Sequence, residues 1–212
     1  QFAVIREGQP LGSLFGYEYM GVIQQGETYA PQPNAKPGDP KFRDISGPDG
    51  KPDGKIDAND RTIIGSANPK FIYGLTNSFT YKTFDLSIFI HGSVGNDLLN
   101  MSRMNLEWNR TTDALNRWTP NNTNTDIPRN GFYYMKSGGY INSHFIENAS
   151  FLRLRNISLG YTLRNISKAF NSVRFYVTAE NLLTLTKYSG WDPEVDTKGY
   201  ETTTGGTSAA GS

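Results

Sequence analysis

The segment 71–91, FIYGLTNSFTYKTFDLSIFIH, constrains the fold more than any other part of this sequence. If Lys82 and Thr83 form a two-residue turn, the flanking residues pair as a β-hairpin with two different faces. One face is almost entirely apolar or aromatic, with Tyr81 opposite Phe84, Phe79 opposite Leu86, Asn77 opposite Ile88 and Leu75 opposite Ile90. The other face is mostly small and polar, with Thr80 opposite Asp85, Ser78 opposite Ser87, Thr76 opposite Phe89 and Gly74 opposite His91. Because side chains alternate along a strand, agreement of both strands in one register predicts an antiparallel hairpin.

The hairpin is compatible with two classes of protein. In a soluble β-sandwich its apolar face would form the core, whereas in a membrane β-barrel that face would contact lipid and the polar face would line the lumen. The chain has 212 residues, enough for one sizeable all-β domain or two small ones. Its mean hydropathy is −0.54 and its longest apolar runs are short, so we expect no transmembrane helix.

Composition removes several function classes. The net charge is +1, and no basic run alternates with aromatic residues, so we expect no nucleic-acid partner. The chain has no cysteine, which excludes disulfides and thiolate metal sites. His91 and His144 are far apart, and the sequence contains no hydrolase, zinc-protease or phosphate-loop motif. Asp192 and Glu194 resemble a glycosidase pair only in type, because the sequence does not give their separation. We therefore predict that the chain is not an enzyme and has no catalytic residues.

Hydrophobic patterning divides the chain into strands and loops. The predicted strands are 11–24, 71–81, 84–92, 151–163 and 173–181, and the predicted loops are 25–70, 93–150 and 182–212. A break in the alternation predicts a β-bulge near Arg155 and Asn156. Helical spacing of apolar residues over 98–118 predicts one short helix inside a loop, and 131–139 is a candidate edge strand.

The connections differ strongly in length. The turns at 82–83 and 164–172 are short, whereas the loops 25–70, 93–150 and 182–212 are long. When the strands are traced up and down, the short turns fall at one end of the sheet and the long loops at the other. This asymmetry is typical of outer-membrane barrels, which have short periplasmic turns and long extracellular loops.

The acidic segment 44–60, DISGPDGKPDGKIDAND, matches parts of a calcium-loop template. Asp49, Asp53, Asp57 and Asp60 fall at template positions 1, 5, 9 and 12, but Lys51 occupies position 3 and cannot bind a cation. A second register begins at Asp44 and treats 47–51 as an insertion. The two interpretations are a structural Ca²⁺ site and a solvated Asp/Gly turn without metal.

Five segments, in the same order along the chain, resemble the SusC/RagA family of TonB-dependent outer-membrane transporters. They are GSLFGYEYMGVIQ (12–24), PGDPKFRDISGPDGKPDGKIDANDRTIIGSANPKFIYGLTNSFTYKTFDLSIFIHGSVGND (37–97), RWTPNNTNTDIPR (117–129), ENASFLRLRNISLGYTL (147–163) and AENLLTLTKYSGWDPEV (179–195). The resemblance implies that 1–212 is the C-terminal part of an antiparallel transmembrane β-barrel of about 22 strands, plugged inside. The barrel would have long extracellular loops and one short helical loop segment. The plug and the final strand have no counterpart here, so we expect the sequence to be part of a longer chain.

The resemblance also implies a function and a location. Family members import nutrients across the bacterial outer membrane, often oligosaccharides and sometimes peptides, so the resemblance implies TonB-dependent uptake of an oligosaccharide (glycan) as the function. A SusD-like surface lipoprotein serves as a lid, and the TonB complex acts on the plug. The alternative that the residues leave open is a soluble, calcium-stapled β-sandwich that binds carbohydrate.

Barrel geometry assigns each side chain of the strands to an environment. We expect one set to face outer-membrane lipid: Phe71, Tyr73, Leu75, Phe79, Tyr81, Phe84, Leu86, Ile88 and Ile90. We expect a second set to face the lumen or the plug: Thr76, Ser78, Thr80, Asp85, Ser87, His91, Arg174, Tyr176 and Glu180. Loop aromatics are weak candidates for stacking on a sugar ring, and they can equally form loop cores or contact the lid: Trp108, Trp118, Tyr133, Tyr134 and Trp191.

Overall fold

The computed structural model describes residues 3–4, 7–108, 112–129, 141–167 and 171–194, and these residues form mostly antiparallel β-structure. In chain order the elements are β1 Ala3–Val4, β2 Ser13–Tyr17, β3 Tyr19–Val22, β4 Pro40–Phe42, β5 Arg61–Ser66, β6 Phe71–Tyr81, β7 Phe84–Val94, β8 Asp97–Leu99, α1 Met101–Trp108, β9 Ile146–Asn148, β10 Phe151–Arg164 and β11 Ser172–Thr186. Three 3₁₀ turns accompany them: Ala58–Asp60, Asp113–Asn116 and Ser143–Phe145. In the described ranges, no helix has both the length and the apolar character needed to cross a membrane.

The four long strands form one antiparallel sheet in the order β6, β7, β10, β11. All eight residue pairs predicted for the 71–91 hairpin are present in the β6–β7 ladder, so the predicted register is confirmed. Lys82 adopts a φ of 55°, which allows the two-residue turn between the strands. We call the end of the sheet with this turn the short-turn end, and the opposite end, where Phe71 and Thr186 lie, the long-loop end.

A β-bulge interrupts β10 where the sequence predicts one. The register shifts between Leu154 and Asn156 against both neighbouring strands: Arg155 is the inserted residue against β7, and two residues of β11, Asn181 and Leu182, lie opposite it on the other side. On β11, Asn181 lies opposite the shift and has a φ of 51°. Because one residue is inserted, Leu154 and Asn156 lie on opposite faces even though they are two positions apart. The bulge therefore keeps the apolar residues of both halves of β10 on the same face.

Cross-strand register places most apolar side chains of the four long strands on a single face, which we call the apolar face, whereas Ile72, Phe89 and Phe151 lie on the other. Its members are Phe71, Tyr73, Leu75, Phe79, Tyr81, Phe84, Leu86, Ile88, Ile90, Leu152, Leu154, Ile157, Leu159, Tyr161, Leu163, Val173, Phe175, Val177, Ala179, Leu183 and Leu185. Much of this face is uncovered by the described residues, with Phe79 57% exposed and Val177 74% exposed. An uncovered apolar surface of this extent is rare on a soluble monomer, so it indicates contact with something else.

The buried core lies in the segments beyond the long-loop end, which we call the loop layer. Its fully or nearly buried side chains include Ile23, Phe42, Met104 and Phe145, with Phe145 at 0% exposure. Three small sheets build this layer, in the strand orders β1-β2-β5, β3-β4 and β8-β9. The loop layer therefore packs as a soluble protein does, while the long sheet leaves its apolar face open.

The structure changes the predicted boundaries in the first third of the chain. The predicted strand 11–24 is two strands, β2 and β3, which belong to different sheets and are separated at Glu18. The reason is a change of backbone partner: the amide of Tyr17 donates to the carbonyl of Ile141, whereas the carbonyl of Glu18 accepts from the amide of Arg43. The predicted loop 25–70 contains β4 and β5.

The later boundaries also differ. The predicted helix over 98–118 is shorter, because α1 spans only Met101–Trp108. Asn100 accounts for its start: the side-chain Oδ1 of Asn100 accepts from the amide of Arg103 at 2.9 Å and caps the helix. The strand predicted over 173–181 extends to Thr186 as β11. The candidate edge strand 131–139 lies outside the described residues.

An ion pair bridges three strands on the polar face near the short-turn end. The guanidinium of Arg174 on β11 donates to the carboxylate of Asp85 on β7 at 2.5 Å and 3.2 Å. The pair passes over Gly160 of the intervening strand β10, where an added Cβ would lie 2.5 Å from the carboxylate oxygens. Gly160 therefore leaves the space in which the two side chains meet.

We expect Gly160→Ala to lower the free energy of unfolding of the intact protein slightly, because the new methyl group would occupy the space in which the Asp85 carboxylate and the Arg174 guanidinium meet. The matched control is Gly74→Ala on the same face. Its Cβ would meet the ring of Phe89 at 3.4 Å and the carbonyl of Ile90 at 4.0 Å, which are ordinary contacts, so we expect little change. Chemical unfolding of both variants checks this, and equal unfolding midpoints would contradict the role given to Gly160.

Candidate functional site

Arg153 is the centre of a charged cluster on the polar face at the long-loop end. It is only 5% exposed, and each part of its guanidinium has a partner. Nη1 donates to Glu194 at 2.8 Å, Nη2 donates to Asp192 at 2.6 Å and Nε donates to the hydroxyl of Thr184 at 2.9 Å. The guanidinium also lies 5.3 Å from the ring centroid of Phe151. A buried arginine with two carboxylates and a hydroxyl is fully paired, which burial of a charge requires.

Glu194 joins two further side chains to this cluster. Its carboxylate accepts from Arg155 at 2.7 Å and lies 3.2 Å from Nε2 of His91. The His91 ring packs between Phe89, with ring centroids 5.8 Å apart, and Phe151, at 5.3 Å. Residues of β7, β10 and the segment after β11 therefore meet at Glu194.

The charges of the cluster affect the titration of Asp192. Burial alone would raise the pKa of its carboxyl group, but the amide of Glu194 and the guanidinium of Arg153 together hold that pKa below its usual value. A carboxylate with a lowered pKa stabilises the folded state above its usual pKa, and this contribution is lost as the pH falls through the folded-state pKa. The contact between Asp192 and Arg153 is therefore intact at neutral pH.

A second polar network lies inside the loop layer. Arg103 and Glu107 face each other one turn apart on α1, and Nε of Arg103 donates to Glu107 at 2.7 Å. The other oxygen of Glu107 lies 2.8 Å from Nε2 of His144, and both of these side chains are less than a tenth exposed. Arg103 also donates to the carbonyl of His144 at 3.0 Å. These contacts fasten α1 to the Ser143–Phe145 turn.

Glu147 connects this network to the segment after β11. Its carboxylate accepts from the amide and the hydroxyl of Ser189, both at 2.8 Å, and from the side-chain amide of Asn100 at 3.1 Å. Burial alone would raise the pKa of Glu147, but these hydrogen bonds and the charge of Arg103 lower it below its usual value. Ser189 is therefore held by an ionised carboxylate of the loop layer.

The acidic segment 44–60 is arranged around Asp60, which has no exposed surface. Asp60 accepts from three backbone amides, those of Ile45 at 2.8 Å, Ser46 at 3.2 Å and Asp57 at 2.7 Å. Asp57 in turn accepts from the amide of Asn59, which completes a capping box on the Ala58–Asp60 turn. Asp60 therefore holds the two ends of this segment together through backbone hydrogen bonds.

The other acidic residues of the segment are placed differently. Asp49 and Asp53 are exposed, and Asp44 accepts from the amide of Gly54 at 2.8 Å. In the described part of the chain, the second oxygen of Asp44 is buried without a hydrogen-bond partner, which favours the register that starts at Asp44. No three histidine, aspartate or glutamate side chains of the described residues are grouped closely enough to hold a metal ion. Calcium binding by Asp44, Asp49, Asp53, Asp57 and Asp60 stays a prediction, and it would require the exposed carboxylates to converge.

The aromatic candidates lie in unlike environments. Trp118 is 6% exposed, and its indole N–H donates to the side chain of Gln24 at 3.1 Å, so its ring packs within the loop layer and offers no face to a ligand. Trp191 is 96% exposed. Trp108 is the last residue of α1, and Tyr133 and Tyr134 lie outside the described residues.

Sequence reasoning did not identify the charged cluster or the loop-layer network. Arg153 had a usable signal, since an arginine between Leu152 and Leu154 in the strand FLRLRNISLGYTL lies on the polar face by its parity. Arg103 and Glu107 also have helical i, i+4 spacing. Their distant partners, such as His144 for Glu107 and Glu194 for Arg153, lie 37 and 41 residues away along the chain, so spacing could not show them.

Two curated proteins with similar sequences are receptors of one kind. TonB-dependent receptor P3 of Formosa agariphila is 38% identical over 206 residues, which is 92% of this chain and 20% of that receptor. TonB-dependent receptor SusC of Bacteroides thetaiotaomicron is 33% identical over 166 residues, which is 76% of this chain and 16% of that receptor. No family model matches the chain.

Solved structures give the same result. The RagAB peptide importer in its 'open-open' state has a TM-score of 0.66 and 29% identity, covering 85% of this chain and 19% of that chain. The structure of the RagAB peptide transporter has a TM-score of 0.65 and 31% identity, covering 85% of this chain and 20% of that chain. This chain therefore spans about a fifth of the length of the relatives that it matches.

We expect Asp60→Asn to loosen the 44–60 segment by about 1–3 kcal/mol, because an amide cannot replace a carboxylate that accepts from three backbone N–H groups. Hydrogen exchange of peptides from this segment in the intact protein measures the effect. Asp49→Asn, at an exposed position, is the matched control and should leave exchange unchanged.

Calorimetric titration with Ca²⁺ tests the predicted metal site. Binding heat that the Asp44→Asn variant loses would support a site, and the absence of heat in the unmodified protein would exclude one.

Proposed function

This chain belongs to the SusC/RagA family of outer-membrane TonB-dependent receptors, and on that premise we propose that its long sheet is part of the wall of a nutrient-importing β-barrel. The relatives are receptors, which agrees with the prediction that the chain is not an enzyme. The long strands would cross the outer membrane, and the loop layer would lie on its outer side.

The uncovered apolar face is the observation that carries this proposal. β6 and β7 have 11 residues each, so they extend about 36 Å, or about 28 Å along the membrane normal at a tilt near 40°. The apolar band of outer-membrane barrels is about 25 Å tall. The strands are therefore long enough to cross the apolar band, with residues to spare at each end.

Aromatic side chains occupy positions on the apolar face that suit a membrane interface. Tyr81, Phe84, Tyr161 and Phe175 cluster at the short-turn end, where Phe84 and Tyr161 lie 4.7 Å apart between ring centroids. Aliphatic residues such as Leu86 and Leu159 fill the middle. This order along the strand is that of an aromatic girdle beside an apolar band.

Closure of the barrel would come from strands beyond those described. Within the described residues β6 and β11 each pair on one side only, so the sheet has two free edges. Free edges are not tolerated in the hydrocarbon region, because unpaired backbone groups cannot be solvated there. We propose that neighbouring strands of the full-length receptor pair with both edges.

The soluble, calcium-stapled sandwich is the weaker alternative. A sandwich requires a second sheet packed on the apolar face, and no other described strand covers it. The buried side chains of the described residues instead belong almost entirely to the loop layer. The open face therefore supports lipid as its neighbour.

For the full-length receptor we propose import across the outer membrane, driven by the TonB complex through the plug and assisted by a SusD-like lipoprotein at the loop layer. The name RagAB peptide importer, given to a similar structure, supports peptide as one cargo class. We propose oligosaccharide as the other, with the exposed ring of Trp191 as the candidate contact, because a flat indole ring suits the apolar face of a sugar.

Outer-membrane fractionation of the full-length receptor, followed by gel migration with and without boiling, tests the barrel. We expect a detergent-extracted band whose migration shifts on heating. A soluble product whose migration does not shift on heating would overturn the proposal and favour the soluble β-sandwich.

We expect Leu86→Arg to reduce the heat-shifted receptor in the membrane strongly, because a charge on the lipid face near mid-membrane costs about 2–4 kcal/mol. The matched control is Ser87→Arg, the same new side chain one residue along, on the polar face. Near-normal yield is expected for the control. If Ser87→Arg were the more damaging change, the two faces would be assigned the wrong way round.

A further inference from the structure

Residues 187–194 follow β11 and return across the long-loop end of the sheet instead of continuing away from it. We call this segment the strap. Its acidic residues reach β10 through Arg153 and β7 through His91, which are one and two strands away from β11. We propose that the strap ties the loop layer to the polar face of the sheet and that Arg153 is the lock that holds it.

The first anchor of the strap is electrostatic and lies on the sheet. Asp192 and Glu194 each bind a different nitrogen of the Arg153 fork, at 2.6 Å and 2.8 Å. Arg155 adds a second bond to Glu194 at 2.7 Å. The amide of Glu194 also donates to Asp192 at 2.8 Å, which holds the two carboxylates side by side around Pro193.

The second anchor lies at the other end of the strap, on the loop layer. Ser189 gives its amide and its hydroxyl to Glu147, and its hydroxyl also accepts from the side chain of Asn100 at 2.9 Å. Asn100 caps α1, so the same residue holds the start of that helix and the strap. Trp191, between the two anchors, points into solvent at 96% exposure.

Arg153 is suited to be a lock because its own position is fixed. Its guanidinium is buried, bonded to Thr184 and packed on Phe151, so it presents its fork in one orientation. The side chains of Asp192 and Glu194 are 51% and 39% exposed, so the strap meets the buried guanidinium of Arg153 from the solvent side. Lysine has a single point charge and cannot bind both carboxylates in this planar arrangement.

The strap contacts both the loop layer and the sheet, so a change at one contact can reach the other. Release of Arg153 would free Asp192 and Glu194, and the less constrained strap would then hold Ser189 less steadily against Glu147 of β9. The position of the strap at the mouth of a lumen rests on the proposed function. Its role in joining the loop layer to the sheet rests on the contacts alone.

Hydrogen exchange of the full-length receptor in detergent tests the lock. In Arg153→Gln we expect peptides covering 187–194 to exchange roughly tenfold faster, because the strap opens more often. Peptides covering 142–149 should also exchange faster, since Ser189 no longer holds Glu147 steadily. Arg153→Lys should lie between Arg153→Gln and the unmodified protein. Arg174→Gln, which breaks an exposed ion pair of the same face near the short-turn end, is the control and should change neither peptide.

A second variant protects the test against misfolding. Asp192→Asn combined with Glu194→Gln removes the same ion pairs from half-exposed strap positions and leaves Arg153 in place. Unchanged exchange of 187–194 in both variants would overturn the lock, and unchanged exchange of 142–149 in variants whose strap opens would overturn the tie. Heat-shift migration is recorded in parallel, so loss of the shift in the unmodified receptor counts against the barrel and not against the strap.

Discussion

Side-chain alternation in four hydrogen-bonded strands is the constraint on which the rest of this structure depends. Because the bulge in β10 keeps the ladder in phase, the odd positions 75 to 81 of β6 each align with an apolar residue on β7, β10 and β11. The described residues leave that face open, so the burial that stabilises a soluble domain has to be found elsewhere. In this chain it is found in the loop layer, around Phe145 and Ile23.

The polar face follows from the same constraint. Its charged side chains pair with one another, Asp85 with Arg174 near one end and Arg153 with its two acidic partners near the other. Gly160 makes the first pair possible by leaving the surface of the middle strand bare. The cluster around Arg153 includes the strap, which joins the sheet to the loop layer. The loop layer is stabilised by buried apolar side chains instead.

The family explains why both kinds of stabilisation occur in one short chain. A barrel wall exposed to lipid needs an apolar outside, while extracellular loops need a dry core of their own. Membership in the SusC/RagA family, shown over about a fifth of the length of its relatives, makes the open sheet and the packed loops parts of one receptor. The proposals on import, cargo and lid extend this to the full-length protein.

The sequence by itself determined what depends on near neighbours along the chain. Period-two alternation and a two-residue turn are local properties, which is why the hairpin register and the bulge at Arg155 were predictable. The division of 11–24 at Glu18, the burial of Trp118 and the cluster at Arg153 were decided by tertiary structure. Each depends on a partner dozens of residues away, such as Ile141, Gln24 or Glu194. Spacing along a chain does not encode such contacts, because only the packed fold brings those groups within hydrogen-bond distance.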